Sequence, residues 1–227
     1  MIYDQVLVEK PTTISSRDTK NLIYEAHQRG LFLGTNYWTR YLPIFVQALE
    51  LESSGVIGPV KHIRGDLGFQ AVTYKPDPWF DRFLRMPGGG ILRDLGGYLL
   101  LYFLKFGHIN SSQSNVSDPI RPNAYSNLAV KSFGTREFVN GTQIDVSSSF
   151  LLVNQATRLE AQFSLSLERD SPMEVQVIGT HGTMYFKNSA ICPQNIEVTV
   201  FDDANSPGAD IMPRPCCQQQ LLKSEGF

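Results

Sequence analysis

The chain has 227 residues, of which 42% are hydrophobic and 19% are charged, and its formal net charge is −2. This composition predicts a soluble globular protein with a sizeable core, and gives no reason to expect nucleic acid or a membrane as a partner. The N-terminal residues contain no basic segment followed by an apolar run, so we expect no signal peptide. The three cysteines, Cys192, Cys216 and Cys217, fit neither a disulfide framework nor a zinc site, which favours a reducing, cytoplasmic location.

The first part of the chain predicts a strand, a helix and a second strand. Residues 5–8 form a short apolar run that suits a strand buried on both faces, and Pro11 ends it. Residues 17–29 predict a helix, with capping hydroxyls before it and Gly30 after it. Residues 31–36 predict another buried strand, so the unit has the crossover that joins parallel strands.

An aromatic-rich segment, residues 37–43, follows that second strand directly. Chain that leaves the carboxyl end of a parallel strand commonly forms the ligand-binding edge of such domains. A helix at 44–54 and a strand at 58–70 are predicted next, and an aromatic-rich connector at 77–85 leads to the following element.

Three consecutive glycines precede a predicted apolar helix at 91–106. Asp94 and Tyr98 are four residues apart, so they project from one face of this helix. Gly96 and Gly97 lie between them, and each costs about 1 kcal/mol of helix propensity relative to alanine. We therefore expect a close neighbour against this helix, which is either a tightly packed core element or part of a functional site.

Beyond residue 107 the pattern changes to one strand after another. A loop rich in Ser, Asn and Pro is predicted at 110–127. Six strands separated by turn residues are expected at 128–133, 143–153, 158–167, 173–178, 183–186 and 195–201. Several alternate apolar and polar residues, which is typical of an open antiparallel sheet with one buried face.

These elements predict an α+β chain. A remnant of a Rossmann-type α/β domain at 1–42 precedes an open, mainly antiparallel sheet domain with helices on one face at 43–201. An irregular polar tail is expected at 202–227. The four histidines share no metal-ligand spacing, so we predict no metal site; they are His27, His62, His108 and His181.

Four motifs occur in an order that resembles one known family. They are Glu9-Lys10-Pro11 at a strand end, Trp38-Thr39-Arg40 before Pro43, the glycine-rich helix with Asp94, and Gly179-Thr180-His181-Gly182 in the sheet. The family is that of glucose–fructose oxidoreductase and inositol dehydrogenase, which are NAD(P)-dependent dehydrogenases of sugars and polyols. Tyr98, where many members have histidine, points to the branch of dihydrodiol and D-xylose dehydrogenases.

The resemblance implies NADP or NAD as cofactor, and a small diol or an aldose such as D-xylose as substrate. It implies that Tyr98 is the acid/base group, that Lys10 lies beside it, and that Asp94 orients the substrate. An ammonium near a phenol favours the phenolate, which suits this pairing. The residues that would border the cofactor are Glu9, Lys10, Pro11, Trp38 and Arg40. Each candidate also has a structural interpretation, such as a solvated lysine, a core tyrosine or an arginine stacked on an aromatic ring.

The sequence departs from the family because it contains no G-x-G-x-x-G motif, on which such domains place the dinucleotide pyrophosphate. We therefore expect a truncated chain that neither binds NADP tightly nor turns over substrate alone. The alternative is a non-catalytic protein that keeps the sheet for self-association or binding. In both cases the open face of the sheet is expected to carry apolar residues and to form a homodimer.

Overall fold

The computed structural model describes residues 5–71, 89–107, 127–139, 141–201 and 216–223. Its elements are, in chain order, β1 (Val6–Val8), α1 (Ser16–Gln28), β2 (Leu33–Thr35), a 3₁₀ helix (Trp38–Tyr41), α2 (Pro43–Ser53), β3 (Val60–Gly68), α3 (Ile91–Phe106), β4 (Leu128–Val139), β5 (Thr142–Asn154), β6 (Leu159–Ser166), β7 (Val175–Gly179), β8 (Gly182–Lys187), β9 (Asn195–Phe201) and β10 (Cys216–Lys223). The predicted connector at 77–85 lies outside the described residues, as does the predicted loop at 110–127 apart from Asn127.

The predicted strand, helix and strand near the N-terminus are present. β1 and β2 pair in parallel, with Val6 opposite Leu33. Ser15 caps α1 by accepting a hydrogen bond of 3.1 Å from the Asp18 amide. The prediction that these strands are buried on both faces is wrong for β1, because Leu7 is 64% exposed. Within the described residues the two strands form a separate sheet of two, which has too few neighbours to cover both faces.

The remaining strands form one eight-stranded sheet in the order β10-β9-β8-β7-β3-β6-β5-β4. All neighbouring pairs are antiparallel except β3 and β6. The six strands expected from alternation are therefore present, and β3 lies at the centre between β6 and β7. The α+β fold class is confirmed.

One face of this sheet carries the core. Side chains alternate along β5, β6 and β7, so that residues such as Val146, Phe163 and Val177 are buried on the inner face. α2 and α3 pack on this face. The ring of Tyr102 on α3 lies 5.2 Å from that of Phe45 on α2 and 4.9 Å from that of Phe186 on β8. Edge-to-face aromatic contacts of this kind join the helices to the sheet.

The outer face of the sheet is more polar than we predicted. A concave region of about 480 Å³ on this face includes Arg64, Asp66, Gln162 and Gln176 among its lining residues. Exposed apolar side chains occur on the edge strand β4, where Phe133 is 78% exposed. The expectation of an apolar outer face therefore holds for β4 and not for the central strands.

The predicted irregular tail is wrong for Cys216–Lys223. These residues form β10, which pairs antiparallel with β9 and places Leu221 opposite Glu197. Strand pairing uses backbone N–H and C=O groups, so a strand edge can take a partner whose side-chain pattern does not predict a strand.

None of the described helices is long and apolar enough to span a membrane. The described part of the chain also contains no cluster of three or more His, Cys, Asp or Glu residues that could hold a metal ion.

Candidate active site

Lys10 follows β1, at the edge where the carboxyl ends of β1 and β2 meet. The Asn36 amide donates to the Val8 carbonyl oxygen over 2.8 Å, and the Asn36 side chain donates to Glu9 Oε1 over 2.8 Å. These bonds join the segment that follows β1 to the segment that follows β2. Glu9 and Pro11 are exposed on either side of Lys10, and the Lys10–Pro11 peptide bond is cis.

The Lys10 side chain is directed at the first turn of α3. Its Nζ lies 2.9 Å from Asp94 Oδ1 and donates over 2.8 Å to the Asp94 carbonyl oxygen. The two side chains are only 10% and 16% exposed. An ion pair withdrawn from water in this way needs further hydrogen bonds to offset desolvation, and the carbonyl contact supplies one. The position of Asp94 in the first helical turn also favours its negative charge.

Tyr98 lies one turn beyond Asp94 and is buried. The Lys10 ammonium is 5.3 Å from the centroid of the Tyr98 ring. Trp38 Nε1 donates a hydrogen bond of 3.0 Å to Tyr98 Oη. The structure thus brings Lys10, Asp94, Tyr98 and Trp38 into one cluster, although they come from three separate segments of the chain.

Tyr37 is a member of this cluster that sequence reasoning missed. Its ring meets that of Tyr98 edge to face, with centroids 5.6 Å apart. A Cβ atom added to Gly97 would lie 2.1 Å from Tyr37 Oη, so only glycine leaves room for the Tyr37 hydroxyl. Burial raises the pKa of Tyr37, and the neighbouring Tyr98 and Asp94 raise it further. The sequence signal for Tyr37 was Gly97, because a glycine inside this helix predicted a close neighbour without identifying it.

Asp145 on β5 is a second missed residue. Its Oδ2 accepts a hydrogen bond of 2.7 Å from the Leu92 amide, so it caps α3 from outside the helix. Gly90, which precedes the helix, has φ of +103°, and a Cβ there would lie 2.1 Å from Asp145 Oδ1. The sheet therefore determines where α3 begins, and with it the position of Asp94.

Arg40 does not join the cluster. Its guanidinium lies 5.0 Å from the centroid of the Tyr41 ring. Burial lowers the pKa of Lys105, and the charge of Arg40 lowers it further, so Arg40 lies near the last turn of α3. Lys105 is about three helical turns from Asp94. The contact with Tyr41 fits the stacked-arginine interpretation of Arg40, and its place beside the cofactor stays a prediction.

Sequence comparison relates this chain to proteins named as diol dehydrogenases. No protein-family profile matches the sequence. The chain is 26% identical over 193 residues to the trans-1,2-dihydrobenzene-1,2-diol dehydrogenase of Xenopus tropicalis, an alignment that covers 85% of this chain and 51% of that protein. The human protein of the same name is 24% identical over 193 residues, with 85% and 51% covered.

Solved structures show the same fold. A 3-ketoreductase from Actinomadura kijaniata, in complex with NADP and TDP-benzene, gives a TM-score of 0.68 at 20% identity and covers 97% of this chain and 58% of its own. An NAD binding oxidoreductase from Klebsiella pneumoniae gives 0.67 at 18% identity, with 97% and 54% covered.

The sequence is similar to proteins named as dihydrodiol dehydrogenases, and the fold matches that of solved oxidoreductases. The resemblance predicted from the four motifs is therefore confirmed. The chain spans about half the length of the curated relatives it matches.

A solved structure with this fold contains NADP, so the residues near Lys10 can be compared with the parts of a dinucleotide. The exposed chain at Glu9–Pro11 and the partly exposed Trp38 border the cluster that contains Lys10, which suits a nicotinamide ring. A pyrophosphate would need backbone amides from a glycine-rich loop at a helix N-terminus. The segment between β1 and α1, residues 9–15, contains no glycine. The segment that follows β1 therefore offers no such loop for a pyrophosphate.

Proposed function

We propose that this chain carries the substrate-binding and proton-transfer half of an NAD(P)-dependent oxidoreductase that acts on the CH–OH group of a small diol or aldose. The observation that supports this most is the position of the Lys10 ammonium, 2.9 Å from Asp94 Oδ1 and 5.3 Å from the centroid of the Tyr98 ring. This buried cluster holds a phenol that can act as the base, an ammonium that favours its phenolate, and a carboxylate that can accept a hydrogen bond from a substrate hydroxyl.

The proposed mechanism follows from the roles of these groups. Oxidation of an alcohol carbon removes a hydride from carbon and a proton from oxygen; the nicotinamide, when bound, takes the hydride. Tyr98 accepts the proton, because the positive charge of Lys10 favours its phenolate. Asp94 accepts a hydrogen bond from a substrate hydroxyl and holds Lys10 in place. In the reverse direction Tyr98 returns the proton to the carbonyl oxygen.

The substrate proposal combines the site with the names of the relatives. Several curated relatives are named for a trans-1,2-dihydrobenzene-1,2-diol. The pairing of an acceptor carboxylate with an acid/base phenol suits a substrate with two neighbouring hydroxyls, such as a trans-dihydrodiol or D-xylose. We propose NADP as the cofactor, with NAD as the alternative.

Activity is tested by joining the chain to a dinucleotide-binding segment from one of these relatives. We expect this fusion to reduce NADP in the presence of a dihydrodiol or D-xylose, and Tyr98→Phe in the fusion to abolish most of the activity. Tyr24→Phe, an exposed tyrosine on α1, is the matched control and should keep full activity. Full activity in Tyr98→Phe would contradict the assignment of the acid/base group.

We also propose that the 227 residues alone bind NADP weakly, because they contain no G-x-G-x-x-G loop. In the family most of the affinity comes from backbone amides around the pyrophosphate. Titration of NADP by calorimetry should give no binding in the micromolar range. Micromolar binding by the unmodified chain would show that another segment holds the pyrophosphate.

The outer face of the sheet supports a second proposal, that two chains form a homodimer through it. Phe133 on β4 is exposed and lines the concave region, as does Leu151 on the neighbouring strand β5, where it lies opposite Lys131. Association would cover these side chains. Sedimentation at protein concentrations on the order of tens of micromolar should show a dimer. Phe133→Glu should yield a monomer, whereas Leu7→Glu on the small sheet should not.

The same face also favours the alternative function, a non-catalytic protein that uses the sheet for binding. The two functions differ in one measurement. A dimer with no turnover after fusion to a dinucleotide-binding segment would favour the binding protein, and NADP-linked oxidation would exclude it.

A further inference from the structure

Trp38 and Tyr98 share a hydrogen bond whose direction follows from their chemistry. An indole N–H can only donate, whereas a phenol oxygen can both donate and accept. Since Trp38 Nε1 lies 3.0 Å from Tyr98 Oη, the phenol oxygen must accept this bond. The proton of Tyr98 must then be directed towards a different partner. A donor at this oxygen also favours the phenolate.

Trp38 is 41% exposed, so few contacts of its own fix its position. Its two neighbours in sequence hold it in place. On one side, Tyr37 packs against Tyr98, and its hydroxyl occupies the space that a side chain at position 97 would fill. On the other side, the buried Thr39 donates a hydrogen bond from Oγ1 to the Ile191 carbonyl oxygen. The backbone of Trp38 is thus anchored both to α3 and to the chain before β9.

Gly97 makes the first of these anchors possible. Position 97 is three residues after Asp94 and adjacent to Tyr98, so its Cβ would point to the same side of α3 as the Asp94 side chain. A methyl group there would overlap not only Tyr37 Oη but also its ring carbon Cζ, at 2.7 Å. The Tyr37 ring would have to move, and Trp38 would move with it.

We propose that Trp38 is a positioning residue for proton transfer at Tyr98, and that Gly97 is required because it admits Tyr37, which holds Trp38 in place. This role rests on the proposed function of Tyr98 as the acid/base group. Before transfer, the indole N–H stabilises the phenolate; after the substrate proton has moved to Tyr98, it keeps the new O–H directed at the oxygen from which the proton came. Trp38 thus acts on the phenol, in addition to bordering the cofactor as the resemblance implies.

The chain offers a direct measurement because it has only two tryptophans, Trp38 and Trp79. In ¹⁵N-labelled chain the two indole nitrogen shifts can be read through carbon-bound ring protons, which do not exchange with water, and Trp79→Phe assigns them. We expect the Trp38 nitrogen shift to change as alkaline pH ionises Tyr98. This response should be lost in Tyr98→Phe. An unchanged response in Tyr98→Phe would overturn the proposed hydrogen bond.

The contribution of Gly97 is tested with a matched pair of variants. Gly97→Ala should abolish the change in the Trp38 indole nitrogen shift that accompanies ionisation of Tyr98. Gly96→Ala, the same change one residue earlier, should preserve it, because a Cβ there meets only Leu92 and Leu165 side-chain atoms at 3.0 and 3.4 Å. Tyr37→Leu keeps Gly97 but removes the anchoring ring, so it should also abolish the response. This variant replaces Gly97→Ala as the test if Gly97→Ala does not fold. A response retained in Tyr37→Leu would overturn the anchoring role.

The positioning role has its own kinetic readout in the fusion protein. Trp38→Phe should lower kcat about tenfold, as expected for loss of one hydrogen bond to a charged oxygen, and should leave KM nearly unchanged. A raised KM with an unchanged kcat would show that Trp38 only lines the binding site, and would overturn the inference. The NMR experiment needs neither NADP nor substrate, so inactivity of the fusion with an intact Trp38 response would count against the proposed function and not against the hydrogen bond.

Discussion

The Lys10 ammonium lies 2.9 Å from the Asp94 carboxylate, although 84 positions separate the two residues in the chain. The contact joins the edge of the small parallel sheet to the first turn of α3, which packs on the large sheet. The two parts of the fold therefore meet at the proposed active site. Changes to this pair should affect both stability and chemistry.

Lys10→Met should destabilise the chain by about 3 kcal/mol, because it leaves a largely buried carboxylate without its cation. Equilibrium unfolding in urea measures this free energy. Lys10→Met combined with Asp94→Leu should recover most of the loss, since the double variant removes both charges. Arg29→Met breaks the exposed pair with Glu25 and is the control, with an expected loss below about 0.5 kcal/mol. A loss of that small size in Lys10→Met would show that the pair is solvated.

Asp145→Ala should lower stability by about 1 kcal/mol, because it removes the acceptor of the Leu92 amide at the start of α3. Gly90→Ala should be more harmful, since it forces a side chain into a positive-φ conformation and against Asp145. Thermal unfolding of both variants checks the order. If the two changes act on one contact, the combined variant should lose less stability than the sum of the two losses.

Tyr37 should titrate at lower pH when its negative neighbours are removed. Its pKa is raised first by burial and then by Tyr98 and Asp94, so Tyr98→Phe and Asp94→Asn should each lower it. Tyrosine labelled with ¹³C at Cζ allows the titration to be followed by NMR. Arg17→Gln, at an exposed site on α1, should leave it unchanged. An unchanged Tyr37 titration in both test variants would mean that burial alone shifts its pKa.

Tyr185 should make stability depend on pH above about pH 10. Its hydroxyl donates to Glu174, and this hydrogen bond raises the pKa of Tyr185 to about 12. Because the folded-state pKa lies above that of the unfolded chain, the stabilisation is complete below pH 10 and is lost as the pH rises towards 12.

The stability difference between wild type and Tyr185→Phe, measured by urea unfolding, should therefore shrink over this range. In a Glu174→Gln background, Tyr185→Phe should cost less stability than it does in the wild type, because the carboxylate that accepts the hydrogen bond is absent. A difference that stays constant up to pH 12 would argue against the bond.

Several features of this protein could be read from short stretches of sequence. The helical spacing of Asp94 and Tyr98 places both on one face of α3, and alternation along segments such as Leu159–Ser166 predicts strands with one buried face. Both patterns depend on neighbours within a few residues, which is the range over which backbone geometry repeats. The family motifs are similarly local, and the motif at the end of β1 is sufficient to mark Lys10 as a candidate site residue.

Other features depend on which distant surfaces meet, and only the tertiary structure decided them. The sequence could show that Gly97 needed a close neighbour, but the identity of that neighbour, Tyr37, depends on how the chain that follows β2 packs against α3. The cap of α3 by Asp145 and the pairing of β10 with β9 are similar cases. Arg40 is a further case, because the motif that contains it suggested the active site, whereas in the structure its guanidinium lies over the Tyr41 ring. Periodicity determines which face of an element is buried, and the fit of whole elements to one another determines which residues share a site.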